Sequence, residues 1–185
     1  FRILGYVEYT SGLATAGTWS AAPDVVRQMS PGVKRPGDVV QTVRGSYASY
    51  ASASTALPDD DTIPQSGEGN ETVTKAIVPR AAANILSVTA HANMFSVGGN
   101  INGGMALFRD AGANALAAQV MPFSDRGIPF AASMEHSVFA GAVASTTFKL
   151  RVGASGGTGY FNGDASARNY GGVLAHTMTI TEIQG

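Results

Sequence analysis

Leu86-Ser87-Val88-Thr89-Ala90-His91-Ala92-Asn93-Met94 alternates apolar and polar residues from end to end. A period of two puts Leu86, Val88, Ala90, Ala92 and Met94 on one side and Ser87, Thr89, His91 and Asn93 on the other, so the stretch reads as a strand with one face buried. The same pattern returns further on, with Thr146, Phe148, Leu150 and Val152 inward and Ser145, Thr147, Lys149 and Arg151 outward. Residues 128–139 carry Ile128, Phe130, Ala132, Met134 and Val138 on one face, and the terminal run 173–183 is rich in Thr and Ile. Asp38–Tyr47, Glu71–Val78, Gly104–Arg109 and Leu116–Met121 are shorter candidates, which makes about eight strands.

Between these runs stand Gly98-Gly99-Asn100, Asp110-Ala111-Gly112, Ser124-Asp125-Arg126-Gly127, Ser155-Gly156-Gly157 and Asn162-Gly163-Asp164. All are rich in residues that accept positive φ or close side-chain turns. No segment of helical period and length follows residue 40. Short strands with turn signals at this spacing predict an all-β antiparallel sandwich over residues 37–185, of the jelly-roll kind. Residues 1–36 differ. Thr10 to Ala22 is small and polar around the single Trp19, and Pro31-Gly32 and Pro36-Gly37 punctuate the exit, so this part reads as an extended N-terminal arm or linker. Ser46 to Ala56 is a low-complexity run of Ser, Ala and Tyr, either a plain strand edge or a surface buried against another subunit.

A chain of 185 residues can bury about 70% of its unfolded surface in one core, so it needs no staple. It has no cysteine, which excludes a disulfide framework, a Cys-ligated metal and a thiol nucleophile. Charged residues make up 14% of it and the net charge is −1, with Lys34-Arg35 the one adjacent basic pair. A nucleic-acid partner is not expected without a basic stripe. Few charges and 44% hydrophobic residues favour burial of much of the surface in an oligomer or larger assembly. No apolar run is long enough for a membrane span, and no signal peptide is readable, so membrane insertion is not expected. The start at Phe1 fits a processed product or a piece of something longer.

Several stretches invite chemistry. Gly153-Ala154-Ser155-Gly156-Gly157 has the G-x-S-x-G spacing of a nucleophile elbow, with Asp164 and His176 following in hydrolase order. Yet the glycines after Ser155 cannot open the helix that an elbow needs, so the stretch reads as a strand connection. Asp59-Asp60-Asp61 could ligate a cation but lacks calcium-loop spacing, and a solvated turn between Pro58 and Pro64 is the plainer reading. His91, His136 and His176 lack metal-ligand spacing. His91 belongs to a polar face, while His136 and His176 share the register of inward residues, as core or interface groups do. Glu182 shares that inward register, with Arg168 as its expected partner. Asn70-Glu71-Thr72 is a glycosylation sequon of relevance only in a secreted eukaryotic protein. Tyr160, Phe161 and Tyr170 stand in a Gly/Asn/Asp-rich neighbourhood, the composition that sugar-binding loops use.

The terminal blocks Tyr160-Phe161-Asn162-Gly163-Asp164, Ala167-Arg168-Asn169-Tyr170-Gly171-Gly172-Val173 and Met178-Thr179-Ile180-Thr181-Glu182-Ile183 resemble the C-terminal block of tailed-bacteriophage and prophage fibre proteins. Gly37-Asp38-Val39-Val40-Gln41, Asp60-Asp61-Thr62-Ile63-Pro64-Gln65, Ala106-Leu107-Phe108-Arg109-Asp110 and Val143–Val152 resemble that group too, in the same order, as does Gly5-Tyr6-Val7-Glu8-Tyr9. The resemblance covers roughly residues 37–185. It implies a trimeric jelly roll of the C1q/TNF-like type at the end of a fibre or spike, and it brings no catalytic residues and no cofactor.

The expectation is therefore a virion structural protein on the particle surface: a homotrimer, joined to other virion proteins by its N-terminal arm, that binds a bacterial cell-surface glycan. Recognition is expected in loops at one end of the sandwich, namely Gly98–Gly104, Ser124–Gly127 and Gly156–Tyr170. There the rings of Tyr160 or Tyr170 would stack on sugar while Asn162, Asp164 or Asn169 form hydrogen bonds. The alternatives are a purely architectural capsid fibre or decoration protein and a glycan-degrading fibre enzyme. Catalysis is not expected, because glycoside hydrolysis needs two carboxylates across a cleft, and only Glu135 lies well inside a clear strand, with Asp125 in the loop before it.

Overall fold

The computed structural model describes residues 5–8, 25–28, 34–97, 102–121 and 130–185. The chain divides into two units, Phe1–Arg35 and Pro36–Gly185. In the first, β1 (Gly5–Glu8) pairs antiparallel with β2 (Val25–Gln28). This ladder is an element that the arm reading of residues 1–36 did not contain. Thr10–Ala22, with Trp19, lies outside the described residues.

The second unit is all-β. Its strands are β3 (Val39–Tyr47), β4 (Ala51–Ala53), β5 (Asn70–Ile77), β6 (Ile85–Val97), β7 (Gly103–Arg109), β8 (Ala117–Met121), β9 (Phe130–Phe139), β10 (Thr146–Ala154), β11 (Thr158–Phe161) and β12 (His176–Ile183). Among the described residues a single 3-10 turn, Tyr170–Gly172, interrupts them. One sheet runs β5-β10-β7-β8. The other runs β3-β12-β6, with β9 along the free side of β6 and the short pair β11-β4 continuing past its far end. Every pairing is antiparallel, and apart from the consecutive pair β7-β8 the neighbours in the sandwich sheets are distant in sequence, as in a jelly-roll sandwich.

All eight strands expected from alternation are present, within a few residues at their ends. Two more, β4 and β11, consist of three and four small or aromatic residues, too short for a period of two to register.

Inward residues follow the predicted register. Leu86, Val88, Ala90 and Met94 of β6, Met134 of β9 and Met178 and Ile180 of β12 pack against Val73 and Ile77 of β5, Met105 and Leu107 of β7 and Phe148, Leu150 and Val152 of β10. Each of these side chains larger than alanine contributes about 1.5–3 kcal/mol by leaving water.

The two ends of the sandwich differ in what they hold. At the terminal end, Val39, Ile183, Ile85 and Phe139 stand side by side across four strands. There the chain enters and leaves together: Gly37 N donates to Gln184 O (2.8 Å) and Gln184 N to Asp38 O (2.9 Å). At the loop end, three residues, Ser155–Gly157, carry the chain from Ala154 of β10, opposite Gly103, to Thr158 of β11, opposite Val97.

The connection 54–69 crosses the outer face of the β5-β10-β7-β8 sheet as a strap. Leu57 is pressed onto Ala106 and Phe108 there, a second small core on the side away from the first. The strap lies so close because its floor has no side chains. Gly104 and Gly153 are cross-strand neighbours, and a Cβ on either would stand 2.9–3.0 Å from Leu57.

Glu182 is buried as its register requires, but Arg168 is not its partner. Gln41 Nε2, Asn84 Nδ2 and Arg80 N each donate to the carboxylate at 2.6 Å. Arg168 is exposed in the loop 162–175, with its guanidinium against Gly172. Strand register gave the direction of Glu182, while its partners come from β3 and the 78–84 connection, far away in sequence.

Candidate functional site

The loop 162–175 leaves β11 and returns as β12, two strands that lie end to end beside β6. Asn162 closes that gap from inside. It is buried with φ +58, its backbone N donates to Asn93 Oδ1 (3.0 Å), and Asn93 Nδ2 donates to its Oδ1 (3.0 Å). Its own Nδ2 donates to Tyr47 O (2.9 Å) and Ser49 O (3.0 Å). Asn162 was expected to meet a glycan. With both ends of its amide engaged inside the protein it has nothing to offer one, and that assignment is corrected: it is the pin that holds the loop's root.

Beside it, His176 Nε2 donates to Asn93 O (2.7 Å), and the ring packs 5.9 Å from Tyr47 and 5.6 Å from Phe161 between centroids. Nδ1 is buried without a partner among the described residues. Burial pushes the imidazole down to about 4, against a smaller upward pull from the Asn93 carbonyl. His176 is thus a neutral core group. Asp164 Oδ1 accepts from the backbone N–H groups of Ser166 (2.8 Å) and Ala167 (3.1 Å), an Asx turn that folds the loop. Ser155 opens the turn into β11 and no helix follows it. The hydrolase-like order Ser155, Asp164, His176 therefore distributes over three structural tasks.

Gly163 is bound by geometry. It bridges to Arg168, and a Cβ there would fall 2.3 Å from Ala167 O and 2.7 Å from the Tyr50 ring. Tyr50 Oη donates to Asp164 O (2.9 Å), so this tyrosine braces the loop from the β3–β4 connection. It was not expected at the site, although it is one of only two large side chains in the Ser46–Ala56 run.

What the braced loop presents outward is Tyr170, 79% exposed, and Val173, 86% exposed. Tyr170 sits at φ +49, a left-handed conformation that costs a bulky residue about 1–3 kcal/mol. Among the described residues the other two non-glycine residues in that region, Asp110 and Asn162, are held by their short polar side chains, bonded to Thr147 N and Tyr47 O. Tyr160 is half-buried on β11 opposite Ser52 and Phe95, and Asn169 is half-buried with its backbone N donating to Asn162 O (3.1 Å). Of the five expected ligand residues, the fold gathers four on or beside this loop with some surface showing, and Tyr170 shows the most. Ser124–Gly127 and most of Gly98–Gly104 lie outside the described residues.

A second concave region was not anticipated. Clefts of about 170 Å³ and 430 Å³ flank residues 58–64 of the strap and share Asp60, Thr62, Pro64 and Ala118 in their walls. Asp60 Oδ1 accepts from Thr62 N (2.9 Å) and Thr62 Oγ1 (2.5 Å), bonds that hold its carboxyl below the usual aspartate range, and Asp59 accepts from Asn102. Among the described residues no three His, Asp or Glu side chains gather as metal ligands. The acidic run makes turns.

No protein-family model matches the chain, and no curated protein does. Among solved structures it is similar to Eiger TNF from S. frugiperda, with TM-score 0.44, 11% identity, 81% of this chain covered and 94% of that one. It is also similar to the infectious bursal disease virus VP2 subviral particle, with TM-score 0.36, 13% identity and 90% of this chain covered, and to the T13 particle of that virus, with TM-score 0.37 and 13% identity. The chain spans about two fifths of the length of those viral proteins, 41% and 39%.

Proposed function

We propose that this chain is a structural protein of a bacteriophage or phage-like particle, a homotrimeric fibre or spike head whose loop end meets a bacterial cell-surface glycan. The observation that carries the reading is polarity. The chain enters the sandwich where Gly37 is bonded to Gln184, just past the end of β12, and the strained, exposed Tyr170 stands on a braced loop that leads into the opposite end of that strand. A strained, exposed ring held away from the point where the chain enters is suited to touch something outside the domain. The ordered motif resemblance to phage fibre proteins supplies the class of particle, and the N-terminal arm is assigned the attachment to other virion proteins.

The site acts by binding, without catalysis. The ring of Tyr170 offers a stacking face, Tyr160 a second aromatic edge, and Asn169 and the free oxygen of Asp164 offer polar partners to sugar hydroxyls. Single sites of this kind bind at about millimolar strength, and three per head on a multi-copy particle gain the rest through avidity. The isolated trimer is expected to adsorb to host cells, and a Tyr160→Ala/Tyr170→Ala double variant that keeps its melting curve should lose at least tenfold in adsorption. Undiminished adsorption removes these residues from the site. No adsorption by the parent trimer replaces the reading with an architectural fibre or decoration protein.

A further inference from the structure

We propose that the outer face of the β3-β12-β6-β9 sheet is the surface through which copies of this chain pack, with Arg44 of each copy paired to Glu135 of the next. The proposal rests on the homotrimer reading and adds where the contact lies and what fixes its direction. Cross-strand register arranges the outward residues of this face in four rows. Val39, Ile183, Ile85 and Phe139 form the first, and Thr42, Thr181, Ser87 and Ser137 the second. Arg44, Thr179, Thr89 and Glu135 form the third, and Ser46, Thr177, His91 and Ser133 the fourth.

The first row is apolar across all four strands, with Val39 52% and Phe139 65% exposed. Rows two and four are short hydroxyls apart from His91, whose ring shares a hydrogen bond with Ser133 (2.7 Å). Such a face holds few long side chains to immobilise, and it places its most exposed apolar residue on one edge strand.

Row three carries the direction. Its two charges lie at opposite edges, Arg44 on β3 and Glu135 on β9, separated by two intervening strands and hence by about 14 Å, too far to neutralise one another. Arg44 makes no ion pair among the described residues, whose three salt bridges are Arg109–Asp110, Lys149–Glu71 and Arg151–Glu71. Glu135 accepts a hydrogen bond from Ser87 Oγ at 3.1 Å and pairs with no cation among the described residues. A head-to-tail ring of copies uses each edge once, the positive edge of one against the negative edge of its neighbour, and closes with every pair made. Electrostatic complementarity of this kind sets register and excludes wrong pairings more than it adds affinity.

The test is a charge-swap cycle on the full chain, with oligomeric state measured by light scattering over a dilution series and fold by far-ultraviolet circular dichroism. The parent is expected to be a trimer. Arg44→Glu and Glu135→Arg should each raise the dissociation midpoint at least tenfold, and the double swap should recover most of that loss. Phe139→Ser should weaken assembly as well, without touching either charge. Should a reversal disturb the strand spectrum, Arg44→Gln and Glu135→Gln carry the same expectation of weakened assembly. A trimeric parent whose single reversals assemble normally, or a double swap without recovery, overturns the proposal and leaves the trimer intact. A monomeric parent at micromolar concentration overturns both.

Discussion

Each end of the sandwich buries one titratable side chain on β12, and the two are treated in opposite ways. At the terminal end Glu182 is surrounded by donors: burial works to raise its carboxyl, but hydrogen bonds from Asn84, Gln41 and the Arg80 and Ala81 backbone outweigh that and hold it below the ordinary glutamate range. Arg109 closes the same end by donating to Phe139 O (3.1 Å) and Ala140 O (2.6 Å). At the loop end His176 has one hydrogen bond, through Nε2, and its buried Nδ1 has no partner among the described residues. Both arrangements favour the folded state only in one protonation state, and in both cases acid removes it. They differ in when. Glu182 is a charge kept charged by its partners, whereas His176 is a base kept neutral by their absence. The terminal end is over-determined, and the loop end is held by a few specific bonds around Asn162.

That contrast breaks most severely by truncation. Deleting residues 173–185 removes β12 from between β3 and β6, together with both buried groups, so the product should show no cooperative thermal transition. A soluble product with a sharp melt would show that the strand is dispensable. Next in size is Glu182→Ala. It leaves the Asn84 and Arg80 donors without their acceptor and takes from Gln41 one of its two, at about 1–3 kcal/mol for each donor stranded, so urea denaturation should report a loss of about 4 kcal/mol.

Acid should then separate the ends. An unfolded histidine takes up a proton near pH 6.5, and folded His176 does so only near 4. Stability is complete above pH 6.5 and falls by about 3 kcal/mol as the pH drops toward 4, a slope that His176→Phe should flatten. The Glu182 contribution is lost only further down, as the pH falls through its depressed folded value. Urea denaturation between about pH 6.5 and 4.5 should therefore already show a loss that His176→Phe abolishes; stability unchanged across that window would sink the comparison.

The smallest stability effect is expected from Tyr170→Gly. Glycine adopts φ +49 without strain, so the melting temperature should hold or rise by the equivalent of about 1 kcal/mol while adsorption falls.

Alternation along β6, β10 and β12 made their inward residues legible, because a period of two is a property of a strand by itself. What escaped depended on chain that comes from elsewhere. Nothing near Gly104 or Gly153 in sequence announces that residues 54–69 cross above them, and nothing near Glu182 names Gln41. The Asn162-Gly163-Asp164 turn was readable as a turn, since each residue suits it, yet the same three residues allow the asparagine to point out or in. Only the break between β11 and β12, with Asn93 waiting across it, turns it inward. Tyr170 was legible as a large ring in a glycine-rich loop, and its left-handed backbone was not, because the glycines after it absorb the expectation of such a conformation.

The hydrogen bonds that join Gly37 to Gln184 and Gln184 to Asp38 place the two ends of the second unit within a few residues of each other. A short linker from Gly185 back to Pro36 would close this unit into a circle, and the exposed turn Gly141–Ser145 offers a place to open it anew. A guest protein fused after Gly185 would emerge beside the point where the chain enters, leaving the opposite rim unobstructed for display.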